Sequence, residues 1–238
     1  MKYLNLSFPT PEENLACDEV LLEWCENDHD DEVVRFWESS KYFVVLGYSN
    51  SVRTEVNQSA CRRHQIPILR RPSGGGTVLQ GPGCLNYSLL LKTNPSHHRN
   101  ITATNRYVME RMKNALEPGL GSAVEIQGDT DLTLRGRKFS GNAQRRRRHA
   151  LLFHGTILLR FDIDVIEKVL RMPKRQPDYR LQRPHRDFLT NIHLPAPLVR
   201  ESIKNEWGAH RLFENASQEA VRKLATEKYA SHDWNFRF

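Results

Sequence analysis

The stretch best suited to chemistry is Arg70-Arg71-Pro72-Ser73-Gly74-Gly75-Gly76-Thr77. Three adjacent glycines carry no Cβ, so their peptide planes can approach a ligand and converge N–H groups on an anion, while two arginines supply permanent positive charge. That combination suits a phosphate or a carboxylate. It is not a Walker loop, because no Gly-Lys-Ser/Thr follows, and not a dinucleotide fingerprint, because the next run reads as strand rather than helix. Taken alone, the glycines equally fit a tight turn. A second stretch, Gly136-Arg137-Lys138-Phe139-Ser140-Gly141-Asn142-Ala143, places Lys138 where its ammonium can reach an anion held by the first. His154-Gly155-Thr156 follows on a later strand.

These loops need elements to hold them. Ile66 to Leu69 is a short apolar strand that delivers the glycine loop, and Leu85 to Leu91 is an extended run beyond it. With Thr77 to Leu79 and the breaker Gly81-Pro82-Gly83, the pattern predicts an antiparallel arrangement around a glycine-rich turn. Val33 to Glu38 and Tyr42 to Leu46 predict a hairpin across Ser39-Ser40-Lys41. Thr10-Pro11-Glu12-Glu13 is a helix start with a capping box, and Cys17, Val20, Leu21 and Trp24 share one face of that helix, leaving Asp18 and Glu19 facing away. Further helices are expected over about 54–64, 104–116, from Asp162 or Asp164 through Leu170, and from Ser217 to about Ala230. Leu132 to Leu134 and Lys138 to Ser140 form strands around a tight turn, and Leu151 to Leu159 is another. Met172 to Asp187 is charged, interrupted by proline and aperiodic, as a functional loop would be. His97-His98-Arg99 reads as a solvated loop rather than a metal site.

The chain has 238 residues, 39% hydrophobic and 26% charged, enough for one substantial core, and a single domain over 1–238 is expected. It contains no run of 18 apolar residues, and Met1-Lys2-Tyr3-Leu4-Asn5 does not open a signal peptide, so a cytoplasmic protein without a membrane partner is expected. Cys17, Cys25, Cys61 and Cys84 lack the spacing of a zinc site or a disulfide scaffold. The net charge of +7 is spread along the chain, which disfavours a nucleic-acid partner. Its one cluster, Arg145 to Arg148, is expected on a surface turn close to Lys138, where it either stays solvated or docks an acidic partner.

In combination, Arg-Arg-x-Ser-Gly-Gly-Gly, Gly-Arg-Lys-x-Ser-Gly-Asn-Ala and His-Gly-Thr resemble the lipoate-protein ligase family. The likeness runs from Asn14-Leu15-Ala16-x-Asp18-Glu19 to Trp234-Asn235. It implies an α+β fold of mixed β-sheets flanked by helices, the biotin/lipoate protein ligase-like catalytic domain. It also implies an ATP-dependent lipoate-protein ligase: lipoate or octanoate becomes an acyl-adenylate, with Mg²⁺ at an unassigned site, and then passes to a lysine of an acidic lipoyl-carrier domain. Lys138 is the catalytic residue by this likeness. Arg70, Ser73, Gly74, Gly75, Gly76, Thr77, Ser140, Gly141, Asn142, Ala143, His154, Gly155 and Thr156 would bind substrate and ATP, with no protein metal ligands. The stretch around Arg175 to Asn191 would close over the adenylate.

Two departures matter. Many relatives carry Asp-x-Gly-Asn where this chain has Gly81-Pro82-Gly83-Cys84, and many ligases continue into a C-terminal accessory domain where this chain stops at Phe238. The chain is therefore expected to act without that domain or with a separate accessory polypeptide. The same superfamily includes octanoyltransferases, which use no ATP and pass the acyl group through a cysteine beside the equivalent lysine. Cys84 could serve only if the glycine loop brought it to Lys138. An ATP-independent octanoyl or lipoyl transferase is thus one alternative, and a non-enzymatic basic nucleic-acid-binding protein the other.

Overall fold

A computed structural model of the chain describes residues 1–27, 31–93, 96, 98 and 100–238. Its strands are β1 (Lys2–Asn5), β2 (Val33–Glu38), β3 (Phe43–Leu46), β4 (Ile68–Arg70), β5 (Val78–Gln80), β6 (Cys84–Lys92), β7 (Val124–Gln127), β8 (Asp131–Leu134), β9 (Arg137–Arg146), β10 (Ala150–Leu158) and β11 (Arg211–Leu212). Among the described residues they form an eight-stranded sheet, β11-β1-β2-β6-β10-β9-β8-β7, and a three-stranded sheet, β4-β3-β5. Both are mixed: β1 runs parallel to β2 and β11, and β3 runs parallel to β4, while the other pairings are antiparallel.

The helices are α1 (Pro11–Glu26), α2 (Val52–Glu55), α3 (Gln58–Arg63), α4 (Ile101–Leu120), α5 (Ile163–Val169), α6 (His185–Phe188), α7 (Ala196–Glu206), α8 (Gln218–Leu224) and α9 (His232–Asn235). Thr10 caps α1 through the expected box with Glu13. On one face of the large sheet, Val108, Met112 and Leu116 of α4 and Val199 and Ile203 of α7 pack against Leu85, Leu89 and Phe153. On the other, Leu15, Leu21 and Leu22 of α1 pack against Val33, Leu90 and Leu152. Each such burial contributes about 1.5–3 kcal/mol relative to exposure. Covered on both faces, β6 is buried over nearly its whole length, which is why it reads as a continuous apolar run.

The architecture is the expected α+β arrangement, with several local corrections. β2 and β3 are not a hairpin, since they join different sheets. β5 does not pair with β6 either: it pairs with β3, and the glycine loop links the two outer strands of the small sheet. Both expectations treated sequence neighbours as partners, whereas the apolar faces of these strands are needed in two layers. The helix expected over 54–64 is two short ones, divided at Val56. Strand β1 and helix α7 are additional to the expected elements. Asp18 does not face away from the core but is buried against Arg35, their side-chain N–O distance being 2.6 Å. Of the expected His97-His98-Arg99 loop, His97 and Arg99 lie outside the described residues. His98 is buried rather than solvated, its Nδ1 lying 2.8 Å from the Lys92 carbonyl.

Candidate active site

The pleat and register of the large sheet bring the chemistry together. Arg35, Ser88, His154 and Ala143 lie side by side on β2, β6, β10 and β9; Trp37, Asn86, Thr156 and Gly141 form the next row of the same face. A cavity of about 660 Å³ runs over these rows, walled by the small sheet and the glycine loop and covered by the 171–189 segment.

Lys138 is aimed by a β-bulge. Leu132 pairs with Ser140 and Thr133 with Lys138, so one extra residue, Phe139, sits in β9. The Lys138 side chain lies across Gly141, where a Cβ would stand 2.6 Å from Nζ. Its Nζ meets Asp131 Oδ1 at 2.7 Å, and the other oxygen of Asp131 accepts the Tyr179 hydroxyl at 2.7 Å. The hairpin turn before it, Arg135-Gly136, has φ of 52° and 70°, as a two-residue I′ turn requires.

The glycine loop is built around Arg71. Its guanidinium donates to the carbonyls of Gly74 and Gly76 and to Ser73 Oγ, and also to the Val45 carbonyl. Because the C=O and N–H of a trans peptide point oppositely, this turns the Gly75 and Thr77 amides away from Arg71. Burial lowers the Arg71 pKa to about 10, still far above neutrality. Gly75, Gly76 and Thr77 line the cavity. Thr77 Oγ1 also donates to Glu55, which Asn50 holds at 2.7 Å.

Arg70 is placed elsewhere. It donates to the carbonyls of Gly47, Tyr48, Asn50, Trp234 and Asn235, does not line the cavity, and so secures the C-terminal segment to the root of the loop. Ser73 and Gly74 are not cavity-lining either. Ser73 is buried, its Oγ 2.6 Å from His154 Nε2. With Arg71 already donating to Oγ, we assign the serine proton to this bond, which leaves Nδ1 as the protonated nitrogen, 4.0 Å from Asp18 Oδ2. Burial, then Arg71, pull the His154 pKa down to about 3, so the ring is neutral. Asp18 is held by Arg35 and by the Ser88 hydroxyl at 2.7 Å.

Lys138, Ser140, Gly141, Asn142, Ala143, Gly155 and Thr156 all border the cavity. The Asn142 side chain is nevertheless engaged by the protein: Oδ1 accepts the Tyr87 hydroxyl at 2.5 Å, and Nδ2 donates to the Thr130 carbonyl and to Ser140. Gly155 makes room for it.

The 171–189 segment is irregular over most of its length, as expected of Met172 to Asp187. It holds a short 3₁₀ turn at Asp178–Arg180 and then α6, with Tyr179 and Arg180 against the Phe188 ring at 5.2 and 4.5 Å. Lys138 bridges in parallel to Leu189, and the Thr190 amide donates to the Lys138 carbonyl. Sequence reasoning missed Asp131 and Tyr179, which join Lys138 to the segment over it. It also weighted Arg70 over Arg71.

The expected closeness of Arg145 to Arg148 to Lys138 is not found. The run starts at the far end of β9, about 23 Å along the strand at 3.3 Å per residue. Arg146 donates there to Thr104 Oγ1 and to the His98 carbonyl. All four cysteines are buried and none lines the cavity; burial raises the Cys84 pKa to about 12.

Residues 10–208 match the family model of the lipoyl protein ligase A/B catalytic domain. Octanoyltransferase LipM of Halalkalibacterium halodurans is 27% identical, covering 95% of each chain. Lipoate–protein ligase 1 of Staphylococcus aureus is 26% identical over 99% of this chain and 73% of its own. Among solved structures, the bi-partite lipoate protein ligase of Thermoplasma acidophilum, described with its E2 lipoyl domain, superposes with a TM-score of 0.84 at 23% identity, covering 99% of this chain and 95% of that one. With the family model covering most of its length, the chain belongs to the lipoyl protein ligase A/B catalytic domain family.

Proposed function

We propose that this protein is an ATP-dependent lipoate-protein ligase. The observation that carries this reading is that the cavity beside Lys138 has no thiol: the cysteine that a thioester route needs is missing, and Cys84 is packed among Val44, Leu79 and Leu158. An adenylate route needs no nucleophile from the enzyme. An oxygen of the acyl carboxylate attacks the α-phosphorus of ATP and pyrophosphate leaves; the amine of a carrier lysine then attacks the acyl carbonyl, and AMP leaves as the amide forms. Lys138 is placed to neutralise charge that develops on the carboxylate and α-phosphate, exchanging Asp131 for the substrate. The Gly75 and Thr77 amides supply further donors, and the cover of Tyr179 and Phe188 excludes water that would hydrolyse the mixed anhydride.

Magnesium belongs here to the nucleotide's phosphates. Among the described residues no three carboxylate, histidine or cysteine side chains cluster to hold a resident ion. Asp131 is the carboxylate beside Lys138 that could face such an ion.

A second reading, ATP-independent octanoyl or lipoyl transfer, is favoured by the full-length likeness to a relative named octanoyltransferase. Mass spectrometry of an apo lipoyl domain incubated with the protein, lipoate and Mg²⁺ separates the two. Acylation strictly dependent on ATP supports the ligase; acylation from an octanoylated carrier without ATP supports the transferase. Repeating the assay with and without cell extract tests the need for an accessory polypeptide.

A further inference from the structure

The segment 172–187 carries five cations, Lys174, Arg175, Arg180, Arg183 and Arg186, against the carboxylates of Asp178 and Asp187. It is joined to the β8–β9 turn: Arg183 donates to the Gly136 carbonyl at 3.1 Å, and Arg137 donates to the Arg186 carbonyl at 2.8 Å. The two pieces therefore present one basic rim outside Lys138. Arg186 pairs with Asp164, but Arg135, Arg137, Lys174, Arg175 and Arg183 form no ion pair among the described residues. At the tip of the segment Leu181 is 79% exposed, with Leu181 and Gln182 both in the left-handed region at φ 51° and 57°. A non-glycine residue held there, with a large apolar side chain turned to solvent, suits a contact made with another molecule. An apolar anchor inside a charged ring is also the anatomy of a protein interface.

We propose that this rim, with Leu181 as its anchor and Arg135, Arg137 and Lys174 as its charges, is the surface on which an acidic carrier protein docks to present its acceptor lysine to the cavity. The inference rests on the acyl-transfer reading of the site. It moves the docking surface from the Arg145 to Arg148 run, at the far end of β9, to the end where Lys138 lies. Unpaired cations steer an acidic partner over the range that salt screens.

The test uses the full chain and an acidic apo-E2 lipoyl domain as probe. Arg135→Glu/Lys174→Glu should raise the KM for the carrier at least tenfold at low salt and flatten its salt dependence, with ATP–pyrophosphate exchange within twofold of the parent. Leu181→Ser should raise the same KM several-fold at any salt. Arg145→Glu/Arg147→Glu, which changes the net charge equally, should leave the KM unaltered. An unchanged carrier KM in the first variant, or an equal rise in the third, overturns the proposal. A matching loss of pyrophosphate exchange in the first also overturns it, by assigning the rim to nucleotide binding. If the parent shows no pyrophosphate exchange, the ligase reading fails instead. The rim is then judged by calorimetric titration of the carrier into each protein, where equal affinity for the first variant and the parent rejects it.

Discussion

Lys138 Nζ and Asp131 Oδ1 stand 2.7 Å apart, and the second oxygen of the same carboxylate holds Tyr179 of the covering segment. One carboxylate thus links the lysine expected to meet substrate with the cover over it. A substrate anion that draws Lys138 away from Asp131 acts on the same group that anchors the cover.

Lys138→Ala should reduce acyl-adenylate formation by about 10²–10³-fold, the cost typical of removing one preorganised charge donor. Its fold should persist, because Nζ contacts the cavity rather than the core. Pyrophosphate exchange, with circular dichroism as a control, checks both; retention of most of the exchange would remove Lys138 from the mechanism.

Tyr179→Phe and Asp131→Asn should each loosen the covering segment. The first removes the bond at the carboxylate and the second removes the charge that strengthens it, so hydrogen exchange over 172–187 should accelerate while α4 and β6 keep their protection. Uniform exchange across parent and variants would show that the segment's other contacts hold it without this bond.

Gly155→Ala and Gly141→Ala should behave differently. A Cβ at Gly155 would lie 1.6 Å from Asn142 Oδ1, and one at Gly141 would lie 2.6 Å from the flexible end of Lys138. The first should cost about 1–3 kcal/mol by displacing Asn142 from Tyr87. The second should leave urea midpoints near the parent value and lower activity instead.

Acid should destabilise the protein partly through His154. Its folded pKa, about 3, lies below the ordinary 6.5, so the unfolded chain binds the proton first as pH falls. The stabilisation is complete above about pH 6.5 and declines towards pH 3, with a limiting slope of about 1.4 kcal/mol per pH unit. His154→Gln should flatten this limb in urea denaturation between pH 6 and pH 4. An unchanged slope would place the titration elsewhere.

Cys84→Ala should leave acyl transfer to the carrier within about threefold of the parent, and no acyl group should be trapped on Cys84. Intact-mass spectra after incubation with an octanoylated carrier test this. A thioester at Cys84 would establish the transferase reading.

Local chemistry was legible in the chain itself. Thr10, Pro11 and Glu13 carry the start of α1 because capping uses neighbours only, and Arg135-Gly136 marks a turn because its dihedrals suit few residues. The run from Cys84 to Lys92 announces a buried strand, and the glycine loop, Lys138 and His-Gly-Thr mark the family. What the tertiary structure decided was pairing and direction. β2 and β3 adjoin in sequence yet enter different sheets, because each must bury a face that the other cannot cover. Arg70 and Arg71 are one residue apart and chemically alike, and only the backbone path sends one to the C-terminal segment and the other into the loop. Asp131 reaches Lys138 through a bulge, and Tyr179 reaches Asp131 from 48 residues away, contacts between groups whose spacing in the chain carries no period.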